Sequence, residues 1–153
     1  MSLPKFVLIL PDIRSCHNVG AMFRTADACG VEKIWLCGYT PVPPRPEIAK
    51  VALGAETWLT WEQSADPVPV VEDLKKQGYT IVALEKNGVS VDIGVAKITG
   101  PVALIVGNEV TGVGADLLAL ADVVAHIPMR GRKESLNVSV AAGIGMYVVG
   151  EKL

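Results

Sequence analysis

Three short segments of this 153-residue chain hold groups that can do chemistry at close spacing. The first, His17 to Gly30, carries Asn18, Gly20, Arg24 and Asp27. Asn18 is placed to cap a helix, and Gly20 allows a neighbouring backbone to approach closely. Arg24 and Asp27 stand three residues apart, on one helical face with Gly20; alone, that pair is a surface ion pair. The second segment, Leu104 to Gly112, ends a run of aliphatic residues in Gly107, then places Asn108 and Glu109 before a second glycine. Free backbone groups at such a turn can clamp a ligand, and the same letters also suit an ordinary strand-to-helix connection. The third, Ile127 to Gly143, passes from apolar residues to a basic loop with Arg130, Arg132 and Lys133, then to Ser135 and Asn137. Either of the last two could be a plain helix cap, and the basic run a solvated loop.

Positioning these groups requires elements that end just before them. Phe6–Leu10, Lys33–Cys37, Thr80–Leu84, Val102–Val106 and Val123–Ile127 are short apolar runs of strand length, and Trp58–Trp61 is a further short strand. Helical spacing covers His17–Cys29, with Val19, Met22, Phe23 and Ala26 on one stripe and Gly30 as a stop. Further helices are expected at Glu47–Leu53, Pro69–Gln77, Ala115–Leu120 and Asn137–Val149. Tyr39–Pro46 holds four prolines and must be a loop. Strands alternating with helices, and uniformly apolar, give an α/β fold: a mostly parallel sheet with helices on both faces. Ligands of such sheets bind outside the carboxyl ends of the strands, where all three segments fall.

Composition narrows the class. Half the residues are hydrophobic and 20% are charged, which excludes a disordered chain. No apolar run approaches the roughly 20 residues of a membrane span. The apolar start stops at Pro11-Asp12 without a small-residue cleavage site, so it is read as a strand and the chain as cytoplasmic. Cys16, Cys29 and Cys37 are odd in number and form no C-x-x-C pair, as suits free thiols, and with only two histidines no metal site is expected. Neither G-x-G-x-x-G nor G-x-x-x-x-G-K-[ST] occurs, so an unrelated dinucleotide- or triphosphate-binding enzyme has no motif behind it. The net charge of −2 is not that of a strongly basic nucleic-acid binder, and leaves room only for a local patch.

Taken in order, the segments resemble the three motifs of the SpoU/TrmH family within the SPOUT class of RNA methyltransferases. Asn18, Gly20, Arg24, Thr25 and Ala26 match N-x-G-x-x-x-R-T-A; Gly107, Asn108, Glu109 and Gly112 match G-N-E-x-x-G; Ile127 through Ala141 matches I-P-M…S-L-N-V-S-V-A. The resemblance implies an S-adenosylmethionine-dependent enzyme that methylates a ribose 2′-hydroxyl of tRNA or rRNA. It implies a homodimer, and a deep trefoil knot from about Val102 onward. Cofactor contacts would come from Leu84, Gly107, Ile127, Met129 and Leu136. Arg24 would serve either as a general base or as a phosphate anchor that stabilises alkoxide charge. Asn18, Glu109, Ser135 and Asn137 would orient Arg24 and the ribose, with Glu109 also able to pair with Arg24. Arg14, Arg45, Arg130, Arg132 and Lys133 would meet RNA phosphates. The first motif lies so near Met1 that residues 1–153 are expected to form one catalytic domain, without the family's N-terminal substrate-binding extension. Recognition would then rest on the dimer surface or on a helper protein. The competing reading is a non-catalytic RNA-binding or assembly module that kept the fold.

Overall fold

The computed structural model describes residues 3–153. Strands β1 (Phe6–Pro11), β2 (Lys33–Cys37), β3 (Thr60–Ser64), β4 (Thr80–Leu84), β5 (Val91–Asp92), β6 (Val102–Ile105) and β7 (Val123–His126) form one sheet in the order β3-β2-β1-β6-β4-β7-β5. Every paired strand in it is parallel, so all carboxyl ends lie along one edge. The central strands are buried on both faces, which is why β1, β4 and β6 read as continuous aliphatic runs without alternation.

Helices α1 (Cys16–Ala28), α2 (Pro46–Ala52), α3 (Ala55–Trp58), α4 (Pro67–Lys76), α5 (Ala115–Leu120) and α6 (Val138–Glu151) divide between the faces. One apolar core joins Leu8, Leu10, Ile34, Leu36, Val82 and Leu104 of the sheet to Met22 and Phe23 of α1, Ile48 of α2 and Met146 of α6. The other joins Val7, Ile9, Ile81 and Ile105 to Val71 and Leu74 of α4 and Leu117 of α5. The expected α/β architecture with helices on both faces is therefore the one observed. No helix among the described residues is long and apolar enough to cross a membrane.

Local differences from the sequence expectations have simple causes. The strand expected at Trp58–Trp61 starts at Thr60, because Gly54 turns left-handed (φ 98°) and opens the short α3 through Trp58. Helix α4 begins at Pro67 and not Pro69, since the Asp66 side chain accepts from the Val68 N–H at 2.9 Å. β5 has two residues, too few to leave a periodic signal.

The tightest helix contact sits at Gly20. A Cβ there would lie 2.6 Å from the Ile48 carbonyl oxygen and 3.0 Å from Val51 Cβ, so the backbones of α1 and α2 approach closely. Gly20→Ala should force these helices apart at a cost of about 1–3 kcal/mol, seen as a lower urea midpoint; an unchanged midpoint would mean that the contact yields freely.

Candidate active site

The site is assembled by the turns that leave β1, β2, β4, β6 and β7. After Pro11 the chain bends at Asp12, a non-glycine residue in the left-handed region (φ 52°). Asp12 is held there by its N–H donating to the Cys37 carbonyl at 3.1 Å and by its Oδ1 accepting from the Tyr39 N–H at 3.1 Å. A Cβ on Gly38 would fall 1.8 Å from that Oδ1, so this turn needs glycine. Buried Thr40 ties the same strands together: its Oγ1 accepts from the Ile13 N–H at 2.9 Å and donates to the Leu10 carbonyl at 2.8 Å.

The next residues open α1, and here the second motif reaches across. Glu109 Oε1 accepts from the Arg14 N–H at 2.9 Å. Its Oε2 accepts from the Ser15 N–H at 3.1 Å and from Asn18 Nδ2 at 3.0 Å. The carboxylate thus sits at the amino end of a helix, where unpaired N–H groups and the helix dipole favour negative charge. Burial pushes the Glu109 carboxyl pKa up. The hydrogen bonds from the Arg14 N–H, the Asn18 side chain, its own N–H and the Ser15 N–H outweigh this and hold it below the ordinary glutamate value. Helix α1 is capped by Ser15, whose Oγ accepts from the Asn18 N–H at 3.1 Å, and not by Asn18 as the sequence suggested. Asn18 is buried one turn in, where its amide serves Glu109.

The loop that carries Glu109 is pinned on both sides. Asn108 Oδ1 accepts from the Val110 N–H at 2.7 Å and the Thr111 N–H at 3.1 Å. Its Nδ2 donates to the Asp12 carbonyl and to the Tyr39 hydroxyl. Glu85, directly after β4, accepts from the Val113 N–H at 2.8 Å. Side chains at Gly107 and Gly112 are excluded: a Cβ would meet the Gly112 carbonyl carbon at 2.7 Å in the first case and Glu85 Oε2 at 2.1 Å in the second. In the third motif Asn137 is the cap of α6, its Oδ1 accepting from the Ser139 N–H at 2.9 Å.

Between these turns, at the carboxyl ends of the neighbouring strands β6, β4 and β7, lies a cavity of ≈ 460 Å³. Leu84, Val106, Ile127, Met129, Leu136 and Val138 give it apolar walls, while Asn108, Glu109, Ser135 and Asn137 give it a polar rim. Its size and mixed lining are those of a small-molecule pocket. All five residues expected to hold a cofactor, Leu84, Gly107, Ile127, Met129 and Leu136, line it, together with Glu109, Ser135 and Asn137 of the expected catalytic set. Asn18 joins them through Glu109. Arg24 does not: it is exposed on α1, outside the lining of its own chain's cavity. The expected Arg24–Glu109 pair is not made, because backbone donors and Asn18 occupy that carboxylate. Nor is the Arg24–Asp27 pair, since Asp27 accepts from Trp58 Nε1 at 2.9 Å. Arg14, Arg45, Arg130, Arg132 and Lys133 are all exposed, in the turns after β1, β2 and β7. Glu85, Asp12 and Tyr39 were not singled out in the sequence; their only signal was a position just beyond a strand end. Cys37 is no nucleophile, because burial, with Asp12 and Asp66 nearby, pushes its thiol up to about 12.

A parallel α/β sheet with a cavity astride adjacent strand ends, bordered by glycine- and asparagine-bearing turns, is the architecture of a small-molecule-binding α/β domain. The chain belongs to the SpoU rRNA Methylase family, whose sequence profile matches residues 5–147. It is 34% identical over 142 residues to a tRNA (guanosine(18)-2′-O)-methyltransferase of Aquifex aeolicus, covering 92% of this chain and 66% of that protein. It is 35% identical over 148 residues to the 23S rRNA (guanosine-2′-O-)-methyltransferase RlmB of Coxiella burnetii, covering 95% of this chain and 58% of that protein. The crystal structure of an AdoMet-bound rRNA methyltransferase from Sinorhizobium meliloti superposes with a TM-score of 0.90 at 30% identity, over 97% of this chain and 57% of that one. The chain thus spans less than two thirds of the length of these relatives.

The lowered Glu109 pKa gives a signed expectation. A carboxyl whose folded pKa lies below its unfolded value, about 4.3 for glutamate, stabilises the fold above that value and loses this contribution as pH falls through the folded one. Glu109→Gln should cost about 1–3 kcal/mol at neutral pH. The gap in urea midpoint from the wild type should narrow on acidification below about pH 4. A gap that is constant with pH would show that the charge is not what holds the turn.

Proposed function

We propose that this chain is an S-adenosylmethionine-dependent methyltransferase acting on a ribose 2′-hydroxyl of tRNA or rRNA. The observation that carries this is the cavity itself: five positions expected to hold the cofactor line one pocket, and Glu109 on its rim is bonded to the start of the helix that bears Arg24. The guanosine 2′-O activity named for the Aquifex and Coxiella relatives supports the same reaction class. Residues and cofactor fit: apolar walls suit a purine, and the glycine turn at 107 bares backbone groups for hydrogen bonds. S-adenosylmethionine supplies an electrophilic methyl on a good leaving group, so alignment is the larger part of the protein's task.

The remaining task is the ribose proton. Arg24 is a general base or, since a guanidinium holds its proton strongly, a phosphate anchor that stabilises developing alkoxide charge. Its position outside its own cavity points to a second copy of the chain. On α6, Val140, Ile144 and Tyr147 form an exposed apolar stripe, 51%, 38% and 63% accessible. Thr25 borders this helix: a Cβ on Gly143 would lie 3.3 Å from Thr25 Cγ2. In a twofold dimer using this α1–α6 surface, the Arg24 of each subunit serves the cavity of the other. The knot is part of the same reading, supported by the insertion of β6 between β1 and β4 late in the chain. So are a catalytic role for the domain described, a helper protein for RNA recognition, and a cytoplasmic location in keeping with three free cysteines.

Arg24→Ala should lower methyl transfer at least about 100-fold while calorimetric affinity for S-adenosylmethionine stays unchanged; retained turnover would remove Arg24 from the mechanism. Tyr147→Glu should convert a dimer to a monomer by light scattering and abolish transfer. Mixing Arg24→Ala with Asn137→Ala subunits should restore activity if Arg24 acts across the interface, and a dead mixture would place it within one subunit. Mapping 2′-O-methylation in total RNA with and without the protein identifies the target, and no change at any nucleotide would defeat the RNA assignment.

A further inference from the structure

Tyr39 lies just beyond β2 and takes no part in the reaction described above. Its side chain is 62% exposed, an unusual placement for a large ring beside a ligand cavity. It is nonetheless tightly held. The Tyr39 N–H donates to Asp12 Oδ1, and its hydroxyl accepts from Asn108 Nδ2 at 2.9 Å. Both neighbours that aim it, Asp12 (φ 52°) and Gly38 (φ 63°), are in the left-handed region, which for Asp12 is a strained conformation. The ring is thus fixed at both ends with its face open, next to the loop that forms the cavity rim.

Two exposed arginines come from the turns around it. Arg14 and Arg45 are exposed; the Arg14 N–H is bound to Glu109, the residue after Asn108, and Arg45 Nη1 lies 3.9 Å from Cys16 Sγ at the start of α1. A held, exposed aromatic ring on a strand-end turn, with exposed arginines in the adjoining turns, supplies the groups that bind a stacked base and its phosphates. We propose that Tyr39 is a stacking platform for an unpaired base of the RNA substrate, and that it holds the strand against the rim of the methyl-transfer cavity while Arg14 and Arg45 hold its backbone. This rests on the RNA reading above. Stacking is tolerant of base identity, so Tyr39 contributes position more than sequence choice.

The test uses the full chain with a fluorescein-labelled single-stranded oligoadenylate and an abasic oligomer of the same length, read by anisotropy. Wild type should prefer the oligomer with bases. Tyr39→Ala should weaken oligoadenylate binding at least about fivefold, leave abasic binding unchanged, and slow transfer to bulk tRNA. Tyr39→Phe should keep base binding, whereas Arg14→Ala should weaken both oligomers alike. Equal binding of both oligomers by wild type and Tyr39→Ala overturns the proposal. So does Tyr39→Phe behaving like Tyr39→Ala, which would make the hydroxyl tether the whole effect. A change of oligomeric mass in Tyr39→Ala would assign the ring to a contact between copies and also overturn it. If wild type methylates tRNA while Tyr39→Ala is normal, only this inference falls; if wild type neither binds nor methylates any RNA, the proposed function falls first.

Discussion

The rest of the site depends on one carboxylate. Glu109 comes from the loop after β6, and the groups it binds come from the turn after β1, more than ninety residues earlier in the chain. Adjacent parallel strands deliver both turns to one edge, but pairing alone does not fix how the turns sit. Charge-assisted bonds from two backbone N–H groups and the buried Asn18 amide do. Because those donors are the unpaired groups at a helix start, one interaction sets both the cavity rim and the direction of α1. The placement of Arg24, two turns along that helix, follows from it.

The glycines around this carboxylate keep the rim close to the cavity. At Gly107 and Gly112 a methyl group would collide with backbone or with Glu85, so the loop folds back on itself through the Asn108–Gly112 bridge. Small residues do a related task on α6. A Cβ on Gly145 would lie 3.1 Å from Leu84 Cδ2, and one on Gly150 would lie 3.1 Å from the Cys29 carbonyl oxygen, so this helix lies close on the sheet and on α1. Its two faces differ: Ala142, Gly145, Met146 and Val149 are buried, and Val140, Ile144 and Tyr147 are exposed.

Legibility in the sequence followed the range of the forces involved. Strands such as Lys33–Cys37 and helices such as Ala115–Leu120 were readable to the residue, because burial on both sheet faces or on one helical stripe writes a local pattern. Much of the cavity lining was readable through the second and third motifs, each tied to a strand end. What escaped was pairing across the fold. Asn18 has the side chain of a helix cap and sits two letters from Gly20, yet a distant carboxylate claims it. Arg24 has an acidic residue three positions on, yet Asp27 is taken by Trp58. Glu85 looks like any polar residue after a strand until Val113 is brought against it. Local spacing states which partners are within reach, and tertiary contacts decide which is used.

The same distinction resolves the charge. A net value of −2 describes the chain as a whole, but a phosphate backbone feels only charges within about 10 Å through salt. At the carboxyl edge of the sheet three carboxylates are engaged by backbone donors: Asp12 by the Tyr39 N–H, Glu85 by the Val113 N–H, and Glu109 by the Arg14 and Ser15 N–H groups, while Glu134 of the basic loop is exposed. The side chains of Arg14, Arg45, Arg130, Arg132 and Lys133 at that edge are exposed, and none makes an ion pair among the described residues. The bonds that build the rim hold those three carboxylates in place, while the five cationic side chains stay free to reach a phosphate. A chain that is weakly acidic overall can still group exposed cations where its strands end.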